Sequence, residues 1–158
     1  MGFFCYIINM DDKFAVRAII FDEEMNTPIL SVGNGRYYKI PGGTIENGES
    51  EKEALAREIK EEAGCSADIV SKLGEYSFQG KESGRMYHSV FYLAKLVGER
   101  GKSSFDDWEK ERSFKLLWVP IDKAIRTFEL ADPKDKFERI INNRDLSFLK
   151  KAKVSYQK

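Results

Sequence analysis

The sequence predicts an α/β protein in which a mixed β-sheet lies between helices. Three observations carry this. Residues 14–21 (FAVRAIIF) and 87–97 (YHSVFYLAKLV) are long apolar, β-branched or aromatic runs of the kind that form strands. Residues 50–63 carry a complete set of helix start, interior and stop signals. Between and beyond them, shorter strand and helix patterns alternate without a repeat, a linker or a low-complexity tract, the arrangement expected of layered α/β proteins.

In chain order, 14–21 reads as a buried strand, and Asn26-Thr27-Pro28 as a turn into a second strand over 29–32. Gly33-Asn34-Gly35 is a hairpin-like turn into 36–40 (RYYKI), which leads to Pro41-Gly42-Gly43. After the helix of 50–63, residues 67–78 predict a strand broken at Gly74, and 80–84 a polar turn before the strand of 87–97. Residues 98–112 are charged and read as a loop. Residues 114–119 (FKLLWV) form another strand, ended by Pro120. Helices are predicted over 121–128 and 133–142, the second capped by Asp132 with Pro133 in its first position, and a short one over 146–152. The last five residues are expected to be loose.

The helix of 50–63 concentrates the chemistry. Ser50 and Glu53 have capping-box spacing, Gly64 supplies a left-handed stop, and Leu55, Ile59 and Ala63 form a narrow apolar stripe. Glu58, Glu61 and Glu62 fall at offsets of three and four, so on a regular helix they share one face and repel each other. A divalent cation would turn that repulsion into binding. The preceding Gly42-Gly43 lets the main chain approach a ligand closely, and hard cations such as Mg²⁺ or Mn²⁺ take such oxygen ligands together with phosphate and water. A solvated charged helix is the competing explanation.

Gly43, Glu49 and the run Arg57-Glu58-Ile59-Lys60-Glu61-Glu62-Ala63-Gly64-Cys65 resemble the Nudix box, G-x5-E-x7-R-E-U-x-E-E-x-G-U, with U aliphatic. The one departure is Cys65 in the last aliphatic slot, where cysteine serves as a small buried hydrophobe. The resemblance covers Gly43 to Cys65 and implies an α/β/α sandwich, the Nudix fold. It also implies an enzyme that hydrolyses the pyrophosphate bond of a nucleoside diphosphate linked to another moiety, with Mg²⁺ or Mn²⁺ as cofactor. Glu58, Glu61 and Glu62 match the family's metal-binding glutamates, often joined by the carbonyl at Gly43. Glu58 also matches a position proposed as general base in some members, and Glu49 and Arg57 match a pair that braces the loop against the helix. Residues 118–124 (WVPIDKA) resemble a second landmark of the family.

Outside the box, the resemblance implies a further acid from the segment before the last strand. Glu111 is chosen over Asp106, Asp107 and Glu109 by its distance from Trp118. Arg36, Tyr37 and Trp108 are the candidate substrate contacts, the aromatics because a base could stack on them. His88 is read as structural. Members that hydrolyse ADP-ribose commonly carry a proline at a set distance past the box; Phe78-Gln79-Gly80-Lys81 has none. That absence favours a house-cleaning, MutT-like nucleoside triphosphate pyrophosphohydrolase, with ADP-ribose or nucleotide-sugar hydrolase, dinucleoside polyphosphate hydrolase and a non-catalytic nucleotide-sensing module as alternatives.

Composition sets the outer limits. A chain of 158 residues suits one domain with its own core. Lysines plus arginines equal aspartates plus glutamates at 26 each, so no net basic field argues for duplex nucleic acid. Two cysteines, Cys5 and Cys65, make neither a disulfide framework nor a metal motif. No apolar run suits a membrane span, residues 1–12 lack signal-peptide features, and the sixth residue does not meet the myristoylation pattern. These features predict a cytoplasmic protein, a monomer or a homodimer formed through the apolar N-terminal segment FFCYII, and the resemblance implies a small-molecule nucleotide as its partner.

Overall fold

The computed structural model describes residues 11–157. Cys5 and the N-terminal segment assigned to a dimer lie outside them. Strands β1 (Lys13–Phe21), β4 (Gly42–Thr44), β5 (Ser66–Gln79) and β6 (Met86–Val97) form a mixed sheet in the order β4-β1-β6-β5, with β1 and β6 parallel and the outer pairs antiparallel. Strands β2 (Asn26–Val32), β3 (Tyr37–Lys39) and β7 (Lys115–Pro120) form a second, antiparallel sheet in the order β3-β2-β7. Helices α1 (Glu51–Glu58), α2 (Asp107–Glu111), α3 (Ile121–Glu129) and α4 (Lys136–Tyr156) complete the sandwich. None of the helices among the described residues is long and apolar enough to cross a membrane.

Alternation along β1 sets the layering, because successive side chains point to opposite faces. Val16, Ala18 and Ile20 pack against Ala54, Leu55, Ile59 and Ala63 of the box helix, with Cys65 buried in the same cluster. Cys65 therefore fills its aliphatic slot as packing. Ile19 and Phe21 face the other way, into a core shared with Ile29, Phe91, Phe128 and Leu149. Phe91 and Phe148 stack there with ring centroids 3.8 Å apart.

Several local expectations are corrected. The turn before β2 is not Asn26-Thr27-Pro28. It is Asp22–Met25, where the Asp22 carboxylate accepts from Glu24 N (3.0 Å) and Asn26 N (2.8 Å) and Met25 takes φ 64°. Pro28 is tolerated within β2 because β3 pairs only with Leu30 to Val32, leaving one side of β2 free at the proline. Gly74 does not break β5; the strand runs through it with register shifts on either side of Lys72. Residues 98–112 are not all loop: Asp106 and Glu109 form a second capping box (2.8 Å in both directions) that starts α2.

The largest correction concerns the C-terminus. One helix of 21 residues replaces the two short helices and continues to Tyr156, into the tail expected to be loose, and its cap is Asp135 rather than Asp132. Asn142 and Asn143 look like a helix end in the sequence. Asn142 is held in the helix by tertiary bonds instead: its Oδ1 accepts from Tyr38 N (3.0 Å) and its Nδ2 donates to Phe128 O (2.9 Å). Near the C-terminus Tyr156 packs on Phe21, with centroids 4.6 Å apart. Leu149, fully buried, lies in the half of α4 that the sequence left as a separate fragment. Leu149→Ala should cost about 2–5 kcal/mol in urea unfolding; a loss below about 1 kcal/mol would show that this half of α4 does not pack on the core.

Candidate functional site

The acidic helix is not regular throughout. Beyond Glu58 it widens into a π-helical turn over Ile59–Ala63 and stops at Gly64 in a left-handed conformation (φ 63°). Such turns are costly alone and often mark functional positions. Here the last carbonyls of the helix are taken up by the loop after β6: Ser103 Oγ donates to Glu62 O (2.5 Å), Ser104 N to Glu61 O (2.6 Å) and Gly101 N to Gly64 O (2.8 Å). The turn changes the phase of the glutamates, so they do not share one exposed face as the regular-helix reading expects. Glu61 remains outside, its side chain 47% exposed, whereas Glu62 is only 3% exposed and accepts from Gly42 N (2.8 Å).

Arg57 gathers the rest. Its Nε and Nη2 hold the two oxygens of Glu49 at 2.6 and 3.0 Å, a bidentate pair. Nη1 donates to Glu58 (2.9 Å) and Glu61 (3.4 Å), and Nη2 also reaches Thr44 O (3.1 Å). Loop, helix and two of the three box acids are thus tied to one guanidinium. The glycines leave room for this. A Cβ on Gly43 would overlap the Glu58 carboxylate, and one on Gly42, at φ 144°, would overlap Val16 O.

The electrostatics follow from burial. Hydrogen bonds from Arg57 and Glu46 N hold the Glu49 carboxyl down at about 2, and Glu49 in turn raises the Arg57 guanidinium above its ordinary value. Burial raises Glu58, against the pull of Arg57. Burial also pushes Glu62 up to about 8, opposed by Lys39 and the Gly42 amide and reinforced by Glu109, which reaches it from α2. Lys39 itself is driven down to about 8 by burial and by Arg17.

Among the described residues no three acidic, histidine or cysteine side chains already converge as a closed cation cage. The donor set nevertheless fits a hard divalent ion. It offers carboxylate oxygens with no soft ligand, and two of those carboxylates, the half-buried Glu58 and the buried Glu62, are desolvated at an energetic cost that a cation would relieve. Mg²⁺ typically keeps water and substrate oxygens in its shell, so a complete protein cage is not required.

Beside the acids lies a cleft of about 590 Å³ between the two sheets and α4. Seven arginines and lysines line it against two carboxylates, Asp135 and Glu138. Arg36, Tyr37 and Trp108 are all in its wall. Arg36 is committed to Glu138 through two bonds (2.5 and 3.0 Å), and Tyr37 is 6% exposed within a small core. Trp108 is half-exposed and carries the Arg112 guanidinium 3.8 Å from its ring centroid. Glu111 is exposed, and the α2 acid that reaches Glu62 is Glu109. The capping-box spacing of Asp106 and Glu109 is the sequence signal that would have placed a helix there and turned Glu109 inward. His88 stacks on Phe14 (4.8 Å) and its Nδ1 lies 2.7 Å from Ser77 Oγ. Sequence reasoning missed Arg17, Lys39 and Arg144 in this cleft, because a charged residue inside a strand or helix gives no signal that it is buried.

Fold and site define an α/β sandwich domain with a glycine loop and an acidic helix set at the edge of its mixed sheet. The family model of the NUDIX domain matches residues 11–140, and the chain belongs to the Nudix family. It is 35% identical over 114 residues to an ADP-ribose pyrophosphatase from Methanocaldococcus jannaschii, covering 72% of this chain and 61% of that protein. It is 28% identical over 119 residues to Nudix hydrolase 4 from Arabidopsis thaliana, covering 75% of this chain and 55% of that one. The chain thus spans little more than half the length of these curated relatives. A solved NUDIX hydrolase from Nitrosomonas europaea superposes with a TM-score of 0.67 over 91% of this chain and 90% of that one, at 18% identity, a likeness of fold.

The Arg57–Glu49 pair has a pH signature. The Glu49 carboxyl titrates at 4.5 in an unfolded chain and at about 2 here, so its stabilisation is complete above 4.5 and fades as pH falls toward 2. Glu49→Gln should lower the urea midpoint at neutral pH, and its gap from the parent protein should narrow on acidification. A gap that stays constant as the pH drops would contradict the pairing.

Proposed function

We propose that the chain is a Mg²⁺-dependent pyrophosphohydrolase that cuts the diphosphate of a nucleoside diphosphate linked to another moiety. The observation that supports this best is the intact box, folded with Glu62 buried and Glu58 half-buried around Gly42-Gly43, next to a cleft lined by cations. Glu58, Glu61 and Glu62 would hold the ion, with Gly43 leaving the space Glu58 needs. A bound divalent cation supplies charge neutralisation and Lewis acidity toward phosphoryl oxygens, the main needs of phosphoryl transfer.

The chain's own residues do the positioning. Arg57 and Glu49 hold the loop to the helix, so the acids keep their places when the substrate's charge arrives. Glu58, raised by burial and held by Arg57, is the carboxylate suited to take a proton from the attacking water. In this reading the small-molecule substrate enters through the cleft and the protein works in the cytoplasm.

Substrate identity separates by product. A nucleoside triphosphate releases pyrophosphate, whereas ADP-ribose, named in the archaeal relative, releases AMP and a sugar phosphate. Glu61→Gln and Glu62→Gln should each reduce Mg²⁺-dependent turnover by on the order of 10²–10³ while leaving the circular dichroism spectrum unchanged. Gly43→Ala should do the same, since its methyl group would displace Glu58. Normal turnover in both glutamine variants would refute the metal assignment. Mg²⁺ binding without turnover on any diphosphate substrate would favour a nucleotide-sensing module.

A further inference from the structure

The floor of the cleft holds three charged side chains that the proposed chemistry does not use up. Arg17 is 7% exposed, Lys39 9% and Arg144 4%, and all three line the same cavity. Their donors are incompletely satisfied. Arg17 Nη1 donates to Ile40 O and Gly42 O, both at 3.2 Å, but its Nε is buried without a partner. Arg144 Nε is paired with Asp145 (2.7 Å) and its Nη1 reaches Ser89 Oγ at 3.5 Å, but Nη2 is buried without a partner. Arg85, in the same lining, also has a buried and unpartnered Nε. A buried guanidinium donor left empty is costly, and three on residues that line one cavity point to an occupant that accepts from them.

Charge leads the same way. The buried acids facing Arg17 and Lys39 are Asp145 and Glu62, with Glu58 further contributing to Arg17. Asp145 is already bonded to Arg144 and to Ile40 N (2.8 Å). Glu62 and Glu58 are the carboxylates a divalent cation would claim. With the cation in place, the floor cations lose those counter-charges, and the scissile diphosphate has the cation as its own. The surplus calls for another anion deeper in the cleft.

We propose that this floor is a phosphate subsite, in which Arg17, Arg144 and Arg85 hold a phosphate group carried by the substrate in addition to the diphosphate that is cut. The inference rests on the hydrolase reading for its substrate but not for its binding site. Planar guanidinium groups suit a phosphate, which accepts several donors at once, better than they suit an uncharged base. The preferred substrate would then carry a further phosphate group outside the diphosphate that is cut.

The probe is inositol hexakisphosphate, which offers phosphates in every direction and has no anhydride to cut. Titrated calorimetrically into the wild-type chain without added metal, it should bind, and Arg17→Gln and Arg144→Gln should each weaken binding at least about tenfold. Arg85→Gln, at a less buried position free of other side-chain bonds, should weaken it too and keeps the test open should the deeper variants fold poorly. Lys151→Glu, far along α4, should leave it unchanged. No binding, or equal loss on Lys151→Glu, would overturn the subsite. Turnover gives the second readout: between NADPH and NADH, or coenzyme A and its dephospho form, the phosphorylated member of at least one pair should show the lower KM, and Arg144→Gln should erase that difference. Absence of any turnover with the binding pattern intact removes the hydrolase reading alone; turnover with no arginine-dependent binding removes the subsite alone.

Discussion

Helix α4 hydrogen-bonds to the free edge of β3, and the position of the whole site descends from that contact. β3 is the outer strand of its sheet, so its outward amides have no strand to pair with. Two side chains of α4 supply the missing partners, and a third holds the side chain just before the strand. Glu138 binds Arg36, Asn142 accepts from Tyr38 N, and Asp145 accepts from Ile40 N. The match is geometric: alternate residues of a strand advance about 6.6 Å, and one turn of a helix about 5.4 Å, so residues near one turn apart on α4 meet every second residue of the edge. Ile40 leads directly into Pro41-Gly42-Gly43. A shift of α4 along β3 would therefore move the glycine loop, and with it the carboxylates that rest on it.

From the loop the constraint passes to Arg57 and Glu62, which fix it from two sides. Arg57 binds Thr44 O and Glu49 at the far end of the loop, while Glu62 accepts from the Gly42 amide at its start. The first comes from the regular part of the helix, whereas Glu62 reaches Gly42 from within the π turn. The turn in turn depends on Ser103, Ser104 and Gly101, which take its carbonyls. The segment that stabilises the turn also carries α2 and brings Glu109 to Glu62. Local strain at the acids is offset by hydrogen bonds from a loop distant in sequence.

The chain announces these features unevenly. The capping box, the apolar stripe and the Gly64 stop are local, and Ser50, Leu55 and Gly64 occupy the places that propensity gives them. The hairpin at Gly33-Asn34-Gly35 is equally local, with positive φ at all three residues. What was not legible is tertiary. Asn142 reads as a helix breaker until Tyr38 N and Phe128 O are known to be its partners. The cap is Asp135, which accepts from Glu138 N, and the Glu138 side chain is held by Arg36, a residue 102 positions away. Arg17 and Arg144 look like surface charges, since strand and helix periodicity mark apolar faces and are silent on a guanidinium that is buried.

The mixed sheet also sorts the charges. Lysine plus arginine balance aspartate plus glutamate over the chain, yet the cleft side of β1 carries Arg17 beside Lys39 and Arg144, and the box acids gather at the β4 edge. Separation of this kind has a cost in the empty protein. Lys39 is held below its ordinary basicity and Glu62 below its ordinary acidity, each in the direction that discharges it. A cation at the acids and an anion on the floor would reverse both shifts together, so the two binding events are favourably coupled through Glu62 and Lys39. The buried charges thus make an empty site that is poorly compensated and a filled one that is well compensated, which is the electrostatic form of preorganisation.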